Sequence, residues 1–229
     1  MAYVLGFLYA DGDIVDAKSS RTQYIKFSSI DKAQIALIKK LLESKHTISE
    51  RPPRMTTFRN GRYLCKRLYI LRIGSRAMYD DLVYLGLTPR KSNTIDFPKV
   101  PKKHLSHFVR GYFDGDGCVR FNTTKNSQNQ ITVNHLRIYF TSGSIAFLQG
   151  LNKYINQDLK LNNKKIYNNI TAYNLQYSTQ ETIMLFKYLY GQLTNRVYMD
   201  RKFKVFIDYF KKRPCKIDVK INKIISNLA

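Results

Sequence analysis

Apolar and polar residues alternate with a two-residue period at several places along the chain, the mark of strands buried on one face only. These are Tyr24-Ile25-Lys26-Phe27-Ser28-Ser29-Ile30-Asp31, Lys66 to Ile73, Val119 to Thr124, Arg137 to Ser144 and Ala172 to Ser178. Between them the period changes to that of an amphipathic helix over Ala33 to Glu43, Ser75 to Leu85, Ile145 to Ile155 and Thr179 to Tyr190. Asp31 and Ser144 are short polar residues placed to accept from free first-turn N–H groups as N-caps. The pattern runs helix, two strands, helix, two strands, helix, and then repeats. It predicts an α+β protein of two pseudo-twofold αββαββα halves, residues 1–88 and 102–229. The segment 89–101, where Pro89, Pro98 and Pro101 deny a continuous helix, joins them. Asn126 to Gln130 and Asn156 to Lys165 read as polar loops, and Lys66 to Ile73 mixes apolar and basic residues at both parities. Lys216 to Leu228 has apolar residues at helical spacing but no place in the scheme.

Each half opens on a variant of one motif: Val4-Leu5-Gly6-Phe7-Leu8-Tyr9-Ala10-Asp11-Gly12 and Val109-Arg110-Gly111-Tyr112-Phe113-Asp114-Gly115-Asp116-Gly117. Gly6 with Ala10, and Gly111 with Gly115, are four apart and share a helix face, so two helix backbones could approach closely. Gly12 and Gly117 read as ordinary C-terminal glycines in the left-handed conformation. That leaves Asp11 and Asp116 unexplained, because a helix C-terminus repels a carboxylate. A divalent cation between the two would remove the repulsion, and oxygen ligands suit magnesium. A calcium loop counted from Asp114 fails, with Val119 where it needs glycine and Lys125 where it needs glutamate.

Charge narrows the partner. The 229 residues carry a net charge of +23, with 39 Lys and Arg against 16 Asp and Glu. At 44% hydrophobic and 13% aromatic, this is a folded basic protein rather than a disordered tail, and nucleic acid is the first candidate partner. No apolar run approaches the roughly 18 residues of a spanning helix, which argues against a membrane. Cys65, Cys118 and Cys215 are odd in number and widely spaced, as reduced thiols are. With no signal-peptide pattern at Met1-Ala2-Tyr3-Val4, a cytoplasmic location is expected, or an organellar one in a eukaryote.

The two motifs resemble the signature of the LAGLIDADG homing endonucleases, in the single-chain form with two copies. Gly86 to Ser92 with Phe97-Pro98 resembles that family's inter-domain segment, and Arg201-Lys202-Phe203 its closing helix. Tyr9 stands where the pattern usually has an aspartate. The resemblance implies that Asp11 and Asp116, helped by the backbone carbonyls of Ala10 and Gly115, bind magnesium at the foot of two packed helices. It implies a monomer whose curved antiparallel sheets form a saddle on duplex DNA, and cleavage of both strands across the minor groove at a long, partly asymmetric site, leaving 3′ overhangs. The family often has a basic residue near each metal site on a late strand. The matching neighbourhoods, Arg72 to Arg76 and Gln176 to Gln180, hold no aligned lysine, and Arg72, Arg76 and Gln176 are the substitutes available.

Strand parity supplies the surface that would read DNA. Tyr24, Lys26 and Ser28 should face away from the helices, as should Arg120, Asn122 and Thr124, then Arg137, Tyr139 and Thr141, then Asn174, Gln176 and Ser178, with Arg72 on the ambiguous strand. A solvated sheet face would look similar; the charge and the motifs direct it to base edges and phosphates. Arg51, Arg54, Arg59, Arg62, Lys102, Lys103, Lys164, Lys165, Lys211, Lys212 and Arg213 read as phosphate neutralisers or solubilising charge. His46, His104, His107 and His135 show no metal spacing. An RNA splicing maturase acting on a host intron, or a non-cleaving DNA-binding regulator, would use the same fold and surface.

Overall fold

The computed structural model describes residues 1–17, 22–58, 61–125, 127, 129 and 131–228. The chain begins with helix α1 (Ala2–Asp11), strands β1 (Gly12–Ala17) and β2 (Thr22–Ser29), and helix α2 (Lys32–Leu41). Strands β3 (Ile48–Arg51), β4 (Arg54–Phe58), β5 (Gly61–Cys65) and β6 (Leu68–Gly74) then lead into α3 (Arg76–Tyr84). A 3-10 turn at Lys91–Asn93 precedes α4 (Lys102–Asp116), β7 (Gly117–Lys125), β8 (Ile131–Ser142) and α5 (Ile145–Leu159). The chain ends with β9 (Ile166–Asn169), β10 (Ala172–Tyr177), α6 (Thr179–Tyr190), α7 (Asp200–Lys212) and α8 (Val219–Leu228).

Two antiparallel four-stranded sheets form, in the orders β1-β2-β6-β3 and β7-β8-β10-β9, and these orders are equivalent under the internal repeat. Side-chain parity follows from the alternation. Ile25 and Phe27 are buried opposite Ile73 and Leu71, while Lys26 lies opposite Arg72 on the other face. In the second sheet Ile138 and Phe140 are buried opposite Tyr177 and Leu175. Asp31 and Ser144 do cap α2 and α5, accepting from the N–H groups of Ala33 and Phe147.

One continuous core spans both halves, and α1 and α4 cross at its centre. A Cβ on Gly6 would overlap the Phe108 carbonyl oxygen, and one on Gly111 would overlap that of Tyr3, so the two backbones touch through reciprocal glycines. Gly115 likewise admits the Ala10 methyl. Gly12 and Gly117, by contrast, are extended (φ −89° and −83°) rather than left-handed. They are small because a Cβ would strike the preceding turn, at Leu8 and at Phe113.

Four further features depart from the sequence reading. Between β3 and β6 lies an added two-stranded ribbon, β4–β5. Helix α5 runs on through Asn156, where the Asn156 amide donates to Asn152 Oδ1 (2.6 Å) and a polar residue is thereby buried in a helix. The tail finds its place as α8, burying Ile221, Ile224 and Leu228. The segment between the halves is anchored, with Phe97 stacked on Tyr154 and Ile95 buried. Arg59 and most of Asn126 to Gln130 lie outside the described residues. Among the described residues, no helix is long and apolar enough to cross a membrane.

Candidate metal centre and nucleic-acid interface

Asp11 and Asp116 end α1 and α4 side by side, each followed by the extended glycine that starts the first strand of its half. Burial and the neighbouring Asp11 charge push the Asp116 pKa up to about 6; burial also raises Asp11. Among the described residues neither carboxylate has a hydrogen-bond or ion-pair partner. The two acids therefore oppose each other as the motif implied, but the compensating cations come from an unexpected direction.

Lys91, in the segment between the halves, donates to the carbonyls of Ala10 (3.3 Å) and Gly12 (2.8 Å). Lys202, in the first turn of α7, donates to the corresponding carbonyls of Gly115 (3.0 Å) and Gly117 (2.5 Å), and to those of Phe113 (2.6 Å) and Asp114 (2.8 Å). Both lysines are buried, and burial lowers the pKa of each, Lys202 to about 8. Their charges face Asp11 and Asp116 and neutralise the negative ends of the two motif helices. The late-strand neighbourhoods are not the source of these cations. Arg72 is exposed on the outer sheet face, Arg76 lies beside Asp80 on exposed α3, and Gln176 is on the outer face of β10. The overlooked signal was the dipeptide repeat Arg90-Lys91 and Arg201-Lys202, whose lysines fall 81 and 87 residues after Ala10 and Gly115.

The position filled by Tyr9 in one half and Asp114 in the other explains how these lysines are placed. Asp114 is buried, and its Oδ2 accepts from the Met199 N–H (2.8 Å) and the Tyr3 hydroxyl (2.6 Å). It thereby fixes the start of α7, one turn before Lys202. In the other half the Tyr9 hydroxyl donates to the Leu85 carbonyl (2.6 Å) at the end of α3, tying down the chain before Lys91. The 3-10 turn that carries Lys91 packs on Gly143, where a Cβ would overlap Ser92 and Asn93. Tyrosine in place of aspartate thus keeps the positioning role with opposite hydrogen-bond polarity.

The donor set fits a hard divalent cation: two carboxylates without protein partners, raised in pKa by their surroundings, beside the carbonyls of Ala10 and Gly115. A carbonyl oxygen has two lone pairs, so the lysine bonds leave one free on each. Among the described residues no cluster of three or more His, Cys, Asp or Glu side chains exists, so carboxylates and carbonyls are the ligands on offer.

The outer faces of the two sheets carry most of the predicted surface. Tyr24 lies under the Arg72 guanidinium (5.7 Å to the ring centroid), and Lys26 pairs with Asp13 (2.8 Å). Ser28 shares this face, opposite Ile70. Arg120 stacks on Tyr139 (4.6 Å) and hydrogen-bonds its hydroxyl, directly opposite Arg137. Asn122 and Thr124 keep their outward parity because the irregularity in this hairpin falls on β8 at Asn134 and His135. Thr141 donates to Asn174 (2.7 Å) next to Gln176. Ser178 is a correction: it lies beyond β10, and a capping box with Glu181 at the start of α6 occupies its side chain and N–H. The Arg213 guanidinium donates to the Val133 carbonyl (2.8 Å).

Two abutting glycine-faced helices that present paired acids beneath two four-stranded sheets define a pseudo-twofold fold with one composite centre. Residues 104–187 match the family described as LAGLIDADG-like domain. The whole chain has the fold of the LAGLIDADG homing endonucleases. It is similar to the homing endonuclease I-WcaI, solved bound to its DNA recognition sequence, with 16% identity over 89% of this chain and 84% of that one and a TM-score of 0.57. The LAGLIDADG meganuclease I-AabMI, bound to uncleaved DNA, gives 15% identity, 99% and 98% coverage and 0.56. I-GzeII, a LAGLIDADG homing endonuclease in complex with a DNA target, gives 14%, 100%, 97% and 0.55. No curated protein matches the chain in sequence.

Proposed function

We propose that this protein is a magnesium-dependent homing endonuclease that cuts both strands of a long, partly asymmetric DNA site and leaves 3′ overhangs. The observation that carries the reading is the pair of partnerless carboxylates, Asp11 and Asp116, delivered to one point by two helices in backbone contact. These carboxylates, with the carbonyls of Ala10 and Gly115, are the residues that would hold the metal. When bound there, magnesium supplies Lewis acidity, activating water at neutral pH and neutralising charge on the leaving oxygen. Lys91 and Lys202 fix the ligating carbonyls from behind and balance the two acids with two cations. Arg72, Arg120 and Arg137 neutralise phosphates. Asn122, Asn174 and Gln176 offer amides to base edges, where Asn and Gln suit adenine, and Tyr24, Tyr139, Thr124 and Thr141 add hydroxyls. The protein acts as a monomer, since one chain already brings both carboxylates.

The test is incubation with a library of random duplexes in magnesium, with calcium as the non-cleaving control, and sequencing of the ends produced. Discrete ends with short 3′ overhangs at one long sequence are expected. Asp11→Asn and Asp116→Asn should retain binding and lose double-strand cleavage. Wild-type cutting by either variant would remove the carboxylates from the chemistry. Retention of DNA without cut ends would make the protein a non-cleaving binder on this fold.

A further inference from the structure

The ribbon β4–β5 has no counterpart in the other half. There, β9 and β10 are joined by Ile170 and Thr171 alone, whereas β3 and β6 are separated by the whole of residues 52–67. The pairing shows what the insertion is. Arg51 lies opposite Leu68 and Arg54 opposite Cys65, so the register runs on unbroken from the sheet into the ribbon. The four strands are one long hairpin. Its ladder is interrupted at Pro52-Pro53, which have no N–H to donate, and the distal part is a separate two-stranded sheet.

A two-stranded ribbon standing alone is marginal in water. This one buries little: Met55, Leu64, Phe58 and Tyr63 are all about half exposed or more, on both faces. Its charge is one-sided. From Arg51 to Arg67 the sequence has six cationic residues and no acidic one. Arg67 is satisfied by Glu50 on β3. Among the described residues Arg51, Arg54, Arg62 and Lys66 have no acidic partner. Arg54 and Arg62 sit on opposite faces, because Arg54 pairs with Cys65 and Arg62 with Thr57.

We propose that β4–β5 is a proline-hinged arm that grips the duplex beyond the saddle, on the side of the first half only. This rests on the DNA-binding reading above. A two-stranded ribbon is of a size to enter the major groove, and cations on both faces meet phosphates on both walls. Met55 and Leu64, exposed on one face of the ribbon, pack on the groove instead of facing water. Five residues per strand extend about 17 Å, or about five base pairs. The target is therefore longer on one flank, and the added length is held chiefly through phosphates.

The experiment compares three proteins on the duplex recovered from the library selection, in calcium: wild type, a chain with residues 52–67 replaced by Asn-Gly, and the full-length triple variant Arg54→Gln, Arg62→Gln, Lys66→Gln. Hydroxyl-radical footprints and the salt dependence of affinity are read for each. The shortened chain should lose about five base pairs of protection on one flank and none on the other. The triple variant, which keeps every backbone contact, should lower the slope of log affinity against log salt by about two to three. Unchanged footprint and slope in the triple variant, with wild type bound, overturn the arm while leaving the DNA reading standing. A wild type that retains no duplex overturns both.

Discussion

At Asp116, burial and the charge of Asp11 act in the same direction on one carboxylate and push its pKa up to about 6. In the unfolded chain the value is about 3.9. The folded state thus holds this proton more tightly, so the stability the group contributes is fully present below about pH 4 and is lost as pH rises through 6. Asp116→Asn removes the group that is penalised. In metal-free buffer at pH 7.5 the variant should be more stable than wild type by about 2–3 kcal/mol, a rise in Tm of about 4–12 °C, and the difference should vanish by pH 4. Magnesium should reverse the order at pH 7.5, because an ion that binds only the folded wild type stabilises it by mass action. Thermal melts at the two pH values, with and without magnesium, check this; an advantage of equal size at both pH values would show that the effect is not electrostatic. Asp11 and Asp116 were legible in the sequence because a carboxylate at a helix C-terminus is locally wrong twice over. Lys91 and Lys202 were not, because each reaches the site from an element distant in the chain and is aimed at carbonyls, which carry no sequence mark. The Arg-Lys repeat becomes meaningful only when the fold brings both copies beneath the motif helices.

Among the elements, α1 and α4 are held by contact of backbone on backbone, and this sets how far apart the two acids lie. Gly111→Ala would force its new methyl into the Tyr3 carbonyl, and the neighbours that must yield are main chain. Overpacking of this kind costs about 1–3 kcal/mol. Gly74 is the control, since a Cβ there meets nothing within 4 Å, and Gly74→Ala should be within about 0.5 kcal/mol of wild type or more stable. Urea unfolding distinguishes the two, and equal stabilities would mean that the helices can separate freely. The glycine spacing made this crossing readable in advance, as strand parity made the sheets. The misread elements share a cause: an outcome decided by a partner rather than by a local period. Asn156 is helical and buried with its amide N–H donated to Asn152 one turn back. Ser178 leaves β10 because Glu181 three residues on completes a capping box, a signal that was present and outweighed by alternation. The ribbon has strands without a buried face, so it offers no hydrophobic period to find.

Over the whole molecule, a net charge of +23 has to be accommodated with few internal partners for the outward cations. Arg120 and Arg137 lie directly opposite each other on β7 and β8, a like-charge pair that weakens the free sheet and that a phosphate would relieve. With Lys26 and Arg72 on the other sheet, and Arg51, Arg54, Arg62 and Lys66 on the hairpin, these make eight cations on the two sheets and the hairpin. If six to eight of them displace counterions from duplex DNA, log affinity should fall against log salt with a slope between about −5 and −7. Between 50 and 200 mM salt that is a loss of about 10³ to 10⁴ in affinity for a random-sequence duplex. Arg120→Gln should reduce the slope by about one, without the change of sequence preference expected from losing a base contact. Fluorescence anisotropy across a salt series in EDTA measures both. A slope shallower than about −2 would put the duplex somewhere other than on the two sheets. The proposed cleavage would then lose its support, since that proposal requires the sheets to hold a phosphodiester over the ends of α1 and α4.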